Sequence, residues 1–163
     1  MQMFSKWLAP FVLATMCVAH VQASEFAGPY VGAKYGADFS RETGAVYSSE
    51  SVPFFGVTAG YNVDVQNFVI GAEAFGDFHE RAATRKDGGI DMKLGLPMND
   101  VMPYARLGFT GGWPDTRLHY GLGVEAKFAK HVGVAVEWTG DTSHSAGERR
   151  ENDSLTLGAH YFF

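Results

Sequence analysis

Apolar side chains recur at every second position along most of this chain, and the residues between them are glycine, small, polar or charged. A period of two marks extended strands with one apolar and one polar face. The clearest case closes the chain: Leu155, Leu157, Ala159, Tyr161 and Phe163 share one face, and Thr156, Gly158 and His160 share the other. The pattern predicts eight strands, running Tyr30 to Phe39, Phe54 to Val63, Phe68 to Phe78, Gly89 to Leu96, Pro103 to Gly111, Leu118 to Phe128, Val132 to Thr139 and Ser154 to Phe163. Their lengths approach the ~10 residues that a tilted membrane-crossing strand requires. An even strand count permits closure with both termini on one side.

The connections alternate in length. Asp64 to Asn67, Pro97 to Met102 and Ala129 to His131 are short, whereas Ser40 to Pro53, His79 to Gly88 and Gly140 to Asp153 are long and polar. Gly112 to Arg117, with Trp113-Pro114-Asp115, is shorter than its alternate class predicts. Tight turns at one end and longer loops at the other are the habit of outer-membrane barrels, with turns in the periplasm and loops outside the cell.

The faces separate cleanly by chemistry. One face collects Val31, Ala33, Tyr35, Phe39, Phe55, Val57, Ala59, Tyr61, Phe68, Ile70, Ile90, Met92, Leu94, Leu107, Phe109, Leu118, Leu122, Val124, Val136 and Trp138. The other carries every charge of the strand centres, four acids (Glu73, Asp91, Glu125, Glu137) and four bases (Lys34, Lys93, Arg106, Lys127), accompanied by glycines such as Gly32, Gly60, Gly71, Gly95, Gly108, Gly121 and Gly123. Two folds of opposite polarity accept this alternation. A soluble sandwich, such as a periplasmic lipid carrier, turns the apolar face inward; a membrane barrel turns it outward.

The amino terminus favours the second. Lys6 precedes an apolar run from Trp7 to Ala19, and Val21-Gln22-Ala23 offers small residues for cleavage before Ser24, the pattern of a secretory signal over residues 1–23. Ala14 and Met16 do not suit lipidation of Cys17, the chain's one cysteine, which leaves with the leader. The mature chain then has neither a disulfide nor a cysteine metal site. Nothing beyond the leader approaches the ~20 apolar residues of a membrane helix. With 20 glycines, 14% aromatics and a net charge of -5, the composition suits an exported all-β chain and gives no basic surface for nucleic acid. Aromatics near the strand ends, Tyr30, Phe39, Tyr61, Phe68, Phe78, Tyr104, Phe128, Trp138 and Tyr161, fit the girdles of a membrane barrel. The expected fold is therefore an all-β, eight-stranded antiparallel up-and-down transmembrane β-barrel over residues 24–163.

A barrel of eight strands is narrow enough for its own side chains to fill. The interior acids and bases must then pair, because an uncompensated buried charge costs several kcal/mol. Glu73, Lys93, Arg106 and Glu125 are the expected central layer. The pairs either plug the barrel and fix its register or exchange partners and pass ions transiently.

Several stretches resemble the eight-stranded transmembrane domain of OmpA-type outer membrane proteins. They are Tyr30-Val31-Gly32-Ala33-Lys34, Gly60-Tyr61-Asn62-Val63, Gly71-Ala72-Glu73, the run Lys93 to Asp100, Tyr104-Ala105-Arg106-Leu107-Gly108, Gly123-Val124-Glu125 and Ser154 to Phe162. The motifs are individually loose but keep their order across the whole mature chain. The resemblance implies interior charges at Lys34, Glu73, Lys93, Arg106, Glu125 and Glu137. It also marks a departure, since the arginine that such proteins place two residues before the strand-seven glutamate is Ala135 here. That removes a switching partner for Glu73 or Glu125. Full-length members continue into a peptidoglycan-binding domain, whereas this chain stops at Phe163, so cell-wall anchoring is not expected.

Two other functions compete with a structural barrel. Some barrels of this size modify lipid A as deacylases or acyltransferases, and Thr142-Ser143-His144-Ser145 with Glu148 is the stretch to weigh. A serine nucleophile and its histidine need the same strand face, two residues apart, and His144 adjoins both serines instead. An adhesin would act through the long loops, whose charges include Arg41, Glu42, Arg81, Arg85, Lys86, Asp87, Arg149 and Arg150. No enzyme activity and no cofactor are expected, and His79, His119, His131, His144 and His160 show no metal-ligand spacing. The partners expected are outer membrane lipids and lipopolysaccharide, the barrel assembly machinery through the last strand ending at Phe163, and a host surface through the loops; the protein is expected to be a monomer without nucleic acid.

Overall fold

The structure is a computed structural model that describes residues 24–43, 48–79, 86–111, 116–145 and 148–163, with side chains described for all of these except 40–43, 48–50, 86, 143–145 and 148–150. The predicted leader, 1–23, lies outside the described residues, as do Arg81 and Arg85.

Eight strands follow one another, β1 (Gly28–Thr43), β2 (Ser48–Val65), β3 (Phe68–His79), β4 (Lys86–Gly95), β5 (Val101–Gly111), β6 (Arg117–Ala129), β7 (Val132–Ser145) and β8 (Glu148–Phe162). Each pairs antiparallel with its successor, and β8 returns to β1, so the sheet is a closed barrel with no free edge. A two-layer sandwich is ruled out by that closure. No helix among the described residues is long and apolar enough to cross a membrane.

Burial shows which way the wall faces. Along β3, Val69, Gly71, Glu73, Phe75 and Asp77 are buried, while Phe68, Ile70, Ala72, Ala74 and Phe78 are exposed. Ile90 and Met92 expose 66% and 64% of their surface, whereas Asp91 between them exposes 1%. In water such an arrangement would forfeit the burial of apolar area that stabilises soluble folds. In a bilayer it is the stable polarity, because hydrocarbon takes the outer face and strand pairing satisfies the backbone. Exposed aromatics gather toward both ends: Tyr35, Phe55 and Phe78 are cross-strand neighbours at one, and Tyr61, Phe68, Tyr161 and Phe163 lie at the other. Tyr30 and Tyr104 do not join these girdles. They sit on the parity opposite to Val31 and Ala105 and are buried in the lumen at 1% and 4% exposure.

The three short connections are tight. Gln66 and Asn99 take left-handed φ of 57° and 55°, in the turn between Val65 and Phe68 and in the one between Met98 and Val101. At the opposite end pairing runs further than the hydropathy pattern suggests. The segments Ser40 to Pro53 and Gly140 to Asp153, expected as loops, are mostly strand, with Glu42 paired to Ser48 and Ser145 paired to Glu148. The reason is physical: apolar alternation ends where the bilayer ends, but the backbone ladder needs only a partner strand and continues into water.

Candidate functional site in the barrel lumen

The narrow lumen forces large inward side chains to face small ones. Across the ladders Tyr30 faces Gly60, Lys93 faces Gly71, Tyr104 faces Gly123, Arg106 faces Gly121 and Asp91 faces Gly108. A Cβ at Gly60 would meet the Tyr30 ring, and one at Gly123 would meet the Tyr104 ring. The glycines therefore make room for the charged and aromatic fill.

Arg106 is the hub. Its Nε donates to Asp91 Oδ2 at 2.7 Å, its Nη1 donates to Glu137 Oε1 and Oε2 at 2.7 and 2.8 Å, and its Nη2 also bonds Asp91. Nη2 approaches Glu73 Oε1 to 3.0 Å, off the angle of a hydrogen bond, so that contact is an ion pair alone. Lys93 lies lower, 3.5 Å from Glu73 Oε2 and 4.0 Å from Glu125 Oε2. Its ammonium hangs between two rings, 4.8 Å from the Tyr30 centroid and 4.5 Å from that of Tyr104. Such faces attract a desolvated cation. The two tyrosines complete the carboxylates: Tyr30 Oη donates to Glu73 at 2.6 Å and Tyr104 Oη to Glu137 at 2.8 Å.

Six of the eight charges read from the sequence, Glu73, Asp91, Lys93, Arg106, Glu125 and Glu137, thus form one connected network, and all are at most 5% exposed. Lys34 stands apart in a pair with Asp77 at 3.0 Å. Lys127 lies at the short-turn end, its ammonium 3.4 Å from the Phe162 ring centroid. Register explains why like charges tolerate proximity. Glu73 is paired with Asp91 and Lys93 with Arg106, which alone would repel, but Arg106 reaches both acids and Lys93 reaches Glu73.

The equal count of four acids and four bases needs correction. Asp38, Asp77, Asp87, Asp141 and Arg117 also point inward beyond the central layer. Arg117 pairs with Asp87 and, at 3.1 Å, with Asp141, which accepts from Asn152 at 3.0 Å. Three histidines join this interior. His79, His119 and His160 all turn inward, 2.5 Å from Asp38, 2.8 Å from Asp91 and 2.7 Å from Glu125 respectively. Parity alone carried the signal for these partners; their height in the barrel did not show in the sequence.

Below the ion pairs an apolar cluster, Phe26, Tyr30, Val69, Met102, Tyr104 and Phe162, fills the short-turn end. Beside Ala135 the lumen retains a cavity of about 10 Å³, bordered by Lys34, Glu73, Arg106, Glu137 and His160. That is the scale of one water molecule. In the β7–β8 hairpin the backbone pairing continues through Ser143 and His144, opposite Arg150 and Arg149.

An apolar outer wall, a closed eight-strand ladder and a lumen packed with ion pairs define an OmpA-type transmembrane barrel. The chain belongs to the outer membrane protein beta-barrel domain family, whose model matches residues 9–163. No curated protein matches the chain. Among solved structures, Neisserial surface protein A is 17% identical with a TM-score of 0.61, the match covering 86% of this chain and 99% of that one. Ail, the attachment invasion locus protein of Yersinia pestis, is 14% identical with a TM-score of 0.54 over 83% of this chain and 99% of Ail. The outer membrane enzyme PagL is 11% identical with a TM-score of 0.50 over 77% and 97%. At these identities the likeness is one of fold.

Proposed function

We propose that the protein resides in a bacterial outer membrane as a closed, non-enzymatic barrel that serves a structural and surface-interaction role, with its short turns in the periplasm. The observation that carries this reading is the filled lumen. A layer of side chains from Glu73 to Glu137 crosses it, and the cavity within that layer has room for about one water. Ion pairs held at hydrogen-bond distance in a low dielectric do not yield readily to a passing ion. The eight interior charges, Lys34, Glu73, Asp91, Lys93, Arg106, Glu125, Lys127 and Glu137, act as a plug that fixes strand register. Planar-bilayer recording of the purified protein is the test: closed baselines with at most rare, small openings agree with the plug, and large steady currents reject it.

The surface role rests on the paired extensions of β1 with β2 and of β7 with β8, which hold backbone in register past the aromatic row formed by Tyr35, Phe55 and Phe78. Ail, named for attachment and invasion, has this fold too. Replacing 41–49 and 142–151 with short turns should lower attachment of expressing cells to host surfaces; unchanged attachment would remove this part of the proposal. Lipid A hydrolysis is not expected, because Ser143 and His144 are consecutive in sequence and a serine nucleophile needs its histidine within hydrogen-bond reach.

A further inference from the structure

The chain enters the barrel through a built junction. Ser24 O accepts from Ala27 N at 3.2 Å, closing a turn, and Gly28 with φ of 108° then pivots the backbone into β1. Only glycine takes that φ without strain. The turn drives Phe26 up into the short-turn mouth, where it is fully buried against an edge-on Phe162 ring at 6.3 Å, and Asn62 Nδ2 fastens the Phe26 carbonyl at 2.9 Å. At the start of this turn one carboxylate is gripped twice: Ser24 N donates to Asp64 Oδ2 at 2.7 Å and Ser24 Oγ to Oδ1 at 2.6 Å.

Ser24 is also the residue that the leader pattern places first in the mature chain. We propose that Asp64 is the receptor for the amino terminus released by leader removal, and that this clamp seats Phe26 as the stopper of the short-turn mouth. The inference rests on cleavage between Ala23 and Ser24. A signal-cleaving peptidase adds one water across that peptide bond, leaving a carboxylate on Ala23 and an amine on Ser24, which takes up a proton near neutral pH. The single amide donor of the precursor becomes an ammonium with three donors and a full charge, aimed at a carboxylate already in place. A charge-assisted bond of this kind is about twice as strong as a neutral one. Processing and closure of the mouth are thereby coupled, because the precursor can offer Asp64 only the weaker contact.

The test uses mature protein purified from membranes of cells expressing the full chain. Mass spectrometry of the intact protein should give Ser24 as the first residue. A limiting amine-acetylating reagent near neutral pH should then modify Ser24 at least tenfold more slowly in the folded parent than in D64N, since the clamped ammonium is a poor nucleophile. Ser24 first with equal rates in both proteins overturns the clamp but leaves the leader reading intact. A different first residue overturns both. Should D64N fail to fold, the parent is compared folded and heat-unfolded, with the same tenfold protection supporting the clamp and its absence rejecting it.

Discussion

Arg106 Nη1 lies 2.7 and 2.8 Å from the two carboxylate oxygens of Glu137, across the lumen from a strand that it does not touch in the sheet. The same guanidinium bonds Asp91 through Nε and Nη2. Removing it takes the guanidinium from Asp91 and Glu137 and leaves Glu73 with Lys93 as its cation, in a site without bulk water. Arg106→Met should therefore cost about 3–5 kcal/mol, the range for breaking a buried pair. Arg106→Lys should recover only part, because an ammonium cannot reproduce the planar fork. Heat-modifiable migration in detergent gels and urea unfolding in lipid vesicles measure this. A parent-like midpoint for Arg106→Met would show that Arg106 is not the hub.

Lys93 sits between Glu73 and Glu125 and under two tyrosine rings. Lys93→Met leaves those acids facing an apolar side chain and should lower stability by about 3–5 kcal/mol. The triple variant Lys93→Met/Glu73→Gln/Glu125→Gln removes the unbalanced charges together and should regain most of the loss. Conductance should remain low throughout, since the volume of the plug is preserved. A stable Lys93→Met protein that conducts would reverse this ordering of effects.

The sheet was more legible in the sequence than its contents. Alternation through Leu155 to Phe163 or Phe68 to Phe78 sets strand, face and approximate ends, since a membrane barrel demands a period of two on an oily wall. Partners in the lumen depend on tilt and stagger, which place Arg106 of β5 against Glu137 of β7 and His160 of β8 against Glu125 of β6. No spacing within one strand carries that information. Tyr30 and Tyr104 show a second limit: nearness to the strand ends suggests a girdle, whereas the parity set by Val31 and Ala105 sends both inward to Glu73 and Glu137. Asp141 escapes notice for a different reason, as it lies where apolar alternation fades but pairing persists, whereas Asp38 stands inside the predicted first strand on the parity opposite to Phe39.

Reversing the polarity of one outward position tests the wall directly. Leu122 is 60% exposed on β6 and has Gly121 and Gly123 as inward neighbours. Leu122→Arg should cost about 2–4 kcal/mol in lipid if the residue lies near the bilayer midplane. The same substitution on a soluble protein surface usually changes stability by no more than about 0.5 kcal/mol. Unfolding titrations in vesicles separate the two, and an unchanged midpoint would place this face in water.

Gly60 tests the filling of the lumen from the opposite direction, by adding volume. Its inward side is occupied by the Tyr30 ring, whose hydroxyl is fixed on Glu73 and whose face lies near the Lys93 ammonium. The ring cannot retreat without loosening both contacts, because Phe162 lies 5.3 Å from it on another side. Gly60→Ala should then destabilise by about 1–3 kcal/mol, the usual range for overpacking. The double variant Gly60→Ala/Tyr30→Leu relieves the clash and should lose less than the sum of its single variants. Thermal unfolding of the four proteins forms a double-variant cycle, and strict additivity would show that Gly60 and Tyr30 do not share space.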